Sequence, residues 1–335
     1  MRTNNKTLNK NMHTLEILEQ EAIKLIEEAS FLKEPLALYE PIEYGMKQGG
    51  KRIRPLLCLI AADMFSDNFD KAKSAAVAVE ILHNFTLLHD DIMDQSPLRR
   101  GKETVYKKFN SNKAILSGDT MFALAYKYLL DYDKDIAKDL VEILTQASIE
   151  VCEGQAFDME FETRNDVTIE EYINMIRLKT GVLLSCALRL GAVTANCTKE
   201  NLILLDEFAQ NIGIAFQIQD DILDCWSDLE VFGKVTGKDI VDNKKTFLYL
   251  KALEIGNNRQ QNILKELYSS KNFESTQKEQ VVKSIYEDLK IKELAKKEMT
   301  HYHNLAIQSL EKIYLSKEKK ENLMLFSEKL MNRNK

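Results

Sequence analysis

Four prolines and twelve glycines are all that punctuate 335 residues. Turn dipeptides are correspondingly scarce, which excludes the sandwiches and barrels that need a reverse turn every ten residues or so. Cysteine is also sparse. Cys58, Cys152, Cys186, Cys197 and Cys225 are odd in number and never fall into a CxxC spacing, so neither a disulfide framework nor a zinc site is indicated. The thiols are expected to be reduced, as in the cytoplasm. No apolar run approaches the roughly 18 residues of a membrane span, and no apolar N-terminal segment precedes a cleavage site. The expectation is a cytoplasmic protein, neither exported nor integral to a membrane. A formal net charge of −6 lacks the cationic excess of a nucleic-acid binder. Any anionic ligand must therefore find a local cationic site.

What is present is a chain 44% apolar and 29% charged, the composition of a globular protein with a large core. Residues 1–13 are polar and patternless and are expected to be flexible. From Thr14 the pattern turns helical: Leu15, Leu18, Ala22, Leu25, Ile26 and Ala29 step by three and four into one stripe. Similar periodicity recurs almost to the end, without strand alternation or an internal repeat. Thr168 and Glu171 have the spacing of a capping box. Two segments read as surface loops, "DQSPLRRGKET" after Asp94 and "WSDLEVFGKVTGKDIVDNKKT" after Asp224. A single all-α domain over 14–335 is expected.

"DDIMD" at 90–94 is echoed by "DDILD" at 220–224. On a helix, positions i and i+4 stand about 6 Å apart, so Asp90 and Asp94 present two carboxylates to one spot with Asp91 beside them, and Asp220 and Asp224 do the same. Like charges so placed cost a helix a few tenths of a kcal/mol, more if partly buried. A counter-charge is implied. Both motifs end apolar helices, and both precede basic, glycine-containing loops. All-oxygen donors with few protein ligands per ion suit Mg²⁺, which keeps waters and takes further ligands from phosphate.

The cations lie near by in sequence. "GGKRIRP" sets Lys51, Arg52 and Arg54 behind two glycines; Arg99 and Arg100 follow the first motif; Lys234, Lys238, Lys244 and Lys245 follow the second; Lys179 and Thr180 sit in "RLKTG". His83, seven residues before Asp90, falls on nearly the same helical face about 10 Å deeper. It reads either as a core histidine or as a donor to an anionic group. His301 and His303 read as surface.

These residues, with "SGD" at 117–119, "GQAFD" at 154–158 and "FQIQDDILD", resemble the ordered motif set of the trans-type isoprenyl diphosphate synthases, the polyprenyl synthetase family. The likeness covers about 14–330. It implies an all-α bundle of ten or more helices around a deep central cavity, working as a homodimer. It implies head-to-tail condensation of isopentenyl diphosphate with an allylic diphosphate (dimethylallyl, geranyl or farnesyl), releasing pyrophosphate. By the same resemblance, Asp90, Asp94 and Asp220 would ligate three Mg²⁺ ions, with Asp91, Asp221 and Asp224 in support. Arg99, Lys179, Thr180, Gln217, Lys234 and Lys244 would hold the allylic diphosphate, and Lys51, Arg54, His83 and Arg100 the isopentenyl diphosphate. Of these, Asp90, Asp94, Asp220, Arg99, Lys179 and Lys234 would carry the catalysis.

Phe85 and Thr86, five and four positions before Asp90, correspond to residues that set product length in the family. A bulky Phe85 without a second aromatic resembles the geranylgeranyl type, C20, with farnesyl, C15, next. Met121 and Phe122 on the following helix offer an alternative floor. A class I terpene cyclase shares one DDxxD but not the second motif or the Lys51/Arg54 site. A silent regulatory subunit would have lost motif residues, and none is lost here.

Overall fold

The computed structural model describes residues 13–227, 237–269 and 274–332. Helix dominates, as the pattern predicts, and the described residues form two compact units. The first takes residues 13–148, 186–203 and 314–323; the second takes 149–185, 204–313 and 324–332.

The first unit begins with α1 (Leu15–Glu28), which starts where Thr14 accepts a hydrogen bond from the Ile17 amide. It buries Leu15, Leu18, Ala22 and Ile26, four residues of the expected stripe. Next come α2 (Leu36–Met46), α3 (Ile53–Ser66), α4 (Lys73–Met93), the short α5 (Val105–Phe109) and α6 (Ser111–Leu129). Helix α4, which ends in the first acidic motif, packs along α6 and against α3. Its buried face runs from Ala75 to Leu82 and includes Leu88.

One segment read as a loop is a β-hairpin. Leu98 pairs with Glu103 and Arg99 with Lys102, the only strands among the described residues. Arg100 and Gly101 both take positive φ, 53° and 76°, the backbone of a two-residue hairpin turn whose twist suits antiparallel strands. The turn aims Arg99 and Arg100 in definite directions rather than leaving them on a mobile loop.

In the second unit, α8 (Ile169–Ile176) opens with the capping box foreseen at Thr168 and Glu171, worth about 1 kcal/mol. The chain then widens into a π-helical turn, Arg177–Gly181, before α9 (Val182–Thr194), whose residues from 186 onward belong to the first unit. Helix α10 (Lys199–Trp226) carries the second acidic motif, and the described part of the loop beyond it forms a short α11 (Lys238–Val241). Helices α12 (Phe247–Ile255), α13 (Asn258–Ser269), α14 (Ser275–Asp288) and α15 (Ile291–Lys312) complete this unit's core, where Ile218, Phe247, Leu264, Val282 and Tyr286 are buried together. Helices α7 (Lys134–Thr163) and α16 (Lys317–Met331) fill the remaining places in chain order. Among the described residues no helix is long and apolar enough to cross a membrane.

Candidate active site

In the first unit the glycine loop and the hairpin turn meet. Gly50, with φ 116°, lies over the Arg100 guanidinium so closely that an added Cβ would stand 2.5 Å from its central carbon. Arg100 donates through Nη1 to the Gly49 carbonyl. Arg54 donates from Nη1 to His83 Nε2 at 3.0 Å, and its Nε is buried with no partner. Since arginine only donates, Nε2 of His83 is the acceptor and its N–H lies on Nδ1. Burial, reinforced by Arg54, Arg100, Arg99 and Arg52, holds the imidazole pKa well below the usual range, so the ring is neutral. Burial also lowers Arg54 to about 10, with Arg100 adding to the effect.

Two of the surrounding arginines are matched. Arg52 forms a buried ion pair with Glu80 at 2.7 Å, and Arg99 grips Asp91, Nε to both carboxylate oxygens at 2.9 Å and Nη2 at 2.7 Å. Arg54 and Arg100 pair with no carboxylate among the described residues. The result is a pocket of uncompensated positive charge built from residues the sequence singled out. Lys51, exposed, stands at its edge in sequence.

In the first motif Asp91 is buried, Asp90 half-buried and Asp94 exposed at the helix end, its amide bonded to the Asp90 carbonyl at 2.8 Å. Asp91 pairs directly with Arg99, which removes the middle carboxylate from the set facing a ligand. Burial raises the Asp91 carboxyl pKa, and Arg99 partly draws it back.

Phe85 leads an aromatic row: edge-to-face on His89 at 4.8 Å and on Phe122 at 5.4 Å, with Tyr126 5.2 Å beyond Phe122. Gly118 of "SGD" makes room for His89, since a Cβ there would stand 2.2 Å from Nε2. Thr86 donates back to the His83 carbonyl at 2.8 Å.

In the second unit a cavity of about 160 Å³ is lined by Asp158, Lys179, Thr180, Gln217, Asp221, Asp239 and Lys244, among others. Four of the expected allylic-site residues, Lys179, Thr180, Gln217 and Lys244, thus come together. Lys179 pairs with Asp158 at 2.5 Å, and Thr180 donates to Gln217 at 3.2 Å. The π-turn that presents Lys179 and Thr180 is seated between glycines. A Cβ on Gly154 would stand 2.6 Å from the Lys179 amide nitrogen, and one on Gly213 would stand 2.5 Å from the Gly181 Cα. Lys234 lies outside the described residues.

Asp221 is buried and accepts from the Tyr172 hydroxyl at 2.6 Å and the Phe247 amide at 3.2 Å. Its pKa is pushed well up, by burial first and then by Asp239. Asp224 accepts from the Asp239 amide at 3.1 Å, and burial raises its pKa. Asp239 itself is pushed up to about 6 by burial and by Asp224. Such crowding of acid groups is relieved by a cation. Among the described residues no group of three or more His, Cys, Asp or Glu is assembled tightly enough to hold a metal on its own.

Sequence reasoning missed Tyr172, Asp239 and Glu80. Lys245, marked in the sequence among the cations after the second motif, donates to the Glu162 carbonyl at 3.0 Å. Only Asp239 carried a local signal, as the first acid of "KDIVD" in a stretch already marked. His303, read as surface, is half-buried, and its Nε2 has no partner. The five cysteines are free thiols, as expected.

An all-helical architecture with a doubled DDxxD motif, each copy beside its own basic side chains, defines the isoprenyl diphosphate synthase class. The chain belongs to the polyprenyl synthetase family, whose sequence profile matches residues 35–289. It is 42% identical over 254 residues to the short chain isoprenyl diphosphate synthase of Methanocaldococcus jannaschii, covering 76% of each chain. It is 38% identical over 243 residues to the geranylfarnesyl diphosphate synthase of Natronomonas pharaonis, covering 67% of this chain and 71% of that one. A crystal structure of a geranylgeranyl pyrophosphate synthase superposes with a TM-score of 0.92 at 43% identity, covering 96% of this chain and 99% of that one.

Proposed function

We propose that the protein is a Mg²⁺-dependent trans-prenyltransferase that condenses isopentenyl diphosphate with an allylic diphosphate and releases pyrophosphate. The observation that carries this reading is the cavity of the second unit, which Lys179, Thr180, Gln217 and Lys244 line together with Asp221 of the second motif, Asp158 and Asp239. Acids and bases left side by side in a cleft suit a ligand that is itself anionic and metal-bound.

The donors fit Mg²⁺: Asp90 with Asp94, and Asp220 with Asp224, are all-oxygen pairs, and Asp91 and Asp221 are occupied by protein partners. Each pair would hold Mg²⁺ through few protein oxygens, as suits an ion that also takes water and phosphate. Mg²⁺ held there supplies positive charge to a leaving diphosphate. We assign three ions, as the family resemblance implies.

Lys179, Thr180, Gln217, Lys234 and Lys244 bind the allylic diphosphate, and the family resemblance alone adds Arg99 to them. Fixed cations and donors of this kind stabilise the charge that develops as the C–O bond breaks. Lys51, Arg54, Arg100 and the Nδ1–H of His83 bind isopentenyl diphosphate. The low proton affinity of His83 keeps it a neutral donor. The isopentenyl double bond attacks the allylic carbon, and the leaving pyrophosphate takes the final proton, so no protein nucleophile is needed.

Phe85, backed by Phe122, limits the chain to C20, the product named for similar proteins. Farnesyl, C15, is the next product. Ile115, Leu116 and Leu130, 45, 57 and 67% exposed, suit burial in a homodimer, and the enzyme works in the cytoplasm. Pyrophosphate release from isopentenyl plus each allylic diphosphate, with and without chelator, tests the reading. Metal-independent turnover, or none with any primer, would overturn it.

A further inference from the structure

The segment 237–246 carries Asp239 and Lys244 into the second unit's cavity, and its ends hang on the acidic motif itself. The Gly237 amide donates to the Asp224 carbonyl at 2.7 Å, the Asp239 amide to the Asp224 carboxylate at 3.1 Å, and the Phe247 amide to Asp221 at 3.2 Å. A third hold comes from outside the cavity. Lys278, on α14, is 4% exposed and is not among the lining residues. Its ammonium donates to the Asn243 side-chain oxygen at 2.6 Å and to the Val241 carbonyl at 3.3 Å, and lies 4.8 Å from the centre of the Tyr268 ring. Two hydrogen bonds and one aromatic face thus receive the ammonium.

A buried lysine carries a desolvation penalty that an apolar side chain of the same length would not incur. Its retention at this point asks for a task, and the partners name one. Asn243 has φ 59°, the left-handed residue that turns the chain out of α11. The next amide, that of Lys244, donates back to the Asp239 carbonyl at 2.9 Å. Fixing Asn243 therefore fixes Lys244 and Asp239 together, without drawing on the carboxylates that the substrate's ions need.

We propose that Lys278 is a positioning residue, a brace on the Asn243 turn that sets Lys244 and Asp239 for the allylic diphosphate. The proposal rests on reading the cavity as the allylic site. Lys278→Met keeps the length and removes the charge. The expected result is a KM for the allylic diphosphate raised about tenfold, with kcat lowered less than about threefold and the KM for isopentenyl diphosphate unchanged. Amide exchange over 238–247 should quicken while that over 85–94 stays as it was. An allylic KM within about twofold of the unaltered enzyme, or an equal rise in both KM values, overturns the proposal. Should Lys278→Met fail to fold, Asn243→Gly, which accepts the positive φ and leaves Lys278 in place, is read by the same criteria. When both variants fold, combining them should add little to either alone, and full additivity counts against the brace. Turnover by the unaltered enzyme is measured first. Its absence would mark failure of the functional reading, and exchange over 238–247 in Lys278→Met then decides the brace by itself.

Discussion

Asp91 and Asp221 hold the same place in DDIMD and DDILD, and both are buried, but their partners differ in kind. Asp91 is met by the forked guanidinium of Arg99, eight residues away on a hairpin. Asp221 is met by a phenol and a backbone amide, from Tyr172 and Phe247. Charge is compensated at the first motif and only hydrogen-bonded at the second. Burial pushes up Asp221, Asp224 and Asp239, with Asp239 adding at Asp221 and Asp224 adding at Asp239, whereas at Asp91 burial is partly offset by Arg99. Two motifs alike in sequence are thus unlike in electrostatics, and the second depends more on cations brought by the ligand or by Lys244.

Substitution of the outer aspartates should show what the motifs share. Asp90→Ala and Asp220→Ala are each expected to lower kcat/KM by about 10³-fold with little change in thermal stability, measured by steady-state kinetics beside a melting curve. The middle positions should then separate the motifs. Arg99→Ala leaves Asp91 as a buried charge with no counter-ion and should cost about 3–5 kcal/mol of stability by denaturant titration. Tyr172→Phe removes one hydrogen bond from Asp221 and should cost about 1 kcal/mol. Equal losses in the two variants would mean that the guanidinium adds nothing over a phenol.

Phe85→Ala should lengthen the product by one isoprene unit, read by mass spectrometry. The row behind it, Phe122 and Tyr126, keeps the extension short. The smallest effect concerns pH. Burial lowers Lys278 from its ordinary 10.5 to about 8, with Asp242 opposing. Between those values the unfolded chain binds the proton more tightly, so the lysine's own contribution to stability rises with pH as the folded ammonium is lost. The allylic KM should therefore drift upward above pH 8 without unfolding, and Lys278→Met should abolish the drift.

The helices were legible because burial leaves a period in the sequence: α1 begins at Thr14, and α8 at the Thr168 and Glu171 box, where expected. The π-turn at Arg177–Gly181 was not, because one extra residue in a helical ladder barely disturbs a pattern of three and four. The hairpin was hidden by its turn pair, Arg-Gly, which lacks the Asn-Gly or Asp-Gly signal. Site residues that act locally, such as Asp90 with Asp94, were visible as spacing. Tyr172 was not, since its hydroxyl meets a carboxylate 49 positions later and nothing near it in sequence announces the contact.

The most direct test supplies purified enzyme with labelled isopentenyl diphosphate and farnesyl diphosphate. The account predicts a labelled C20 diphosphate and one pyrophosphate per coupling, abolished by chelation and restored by Mg²⁺. Coupling indifferent to the metal, or none with any allylic partner, would contradict it.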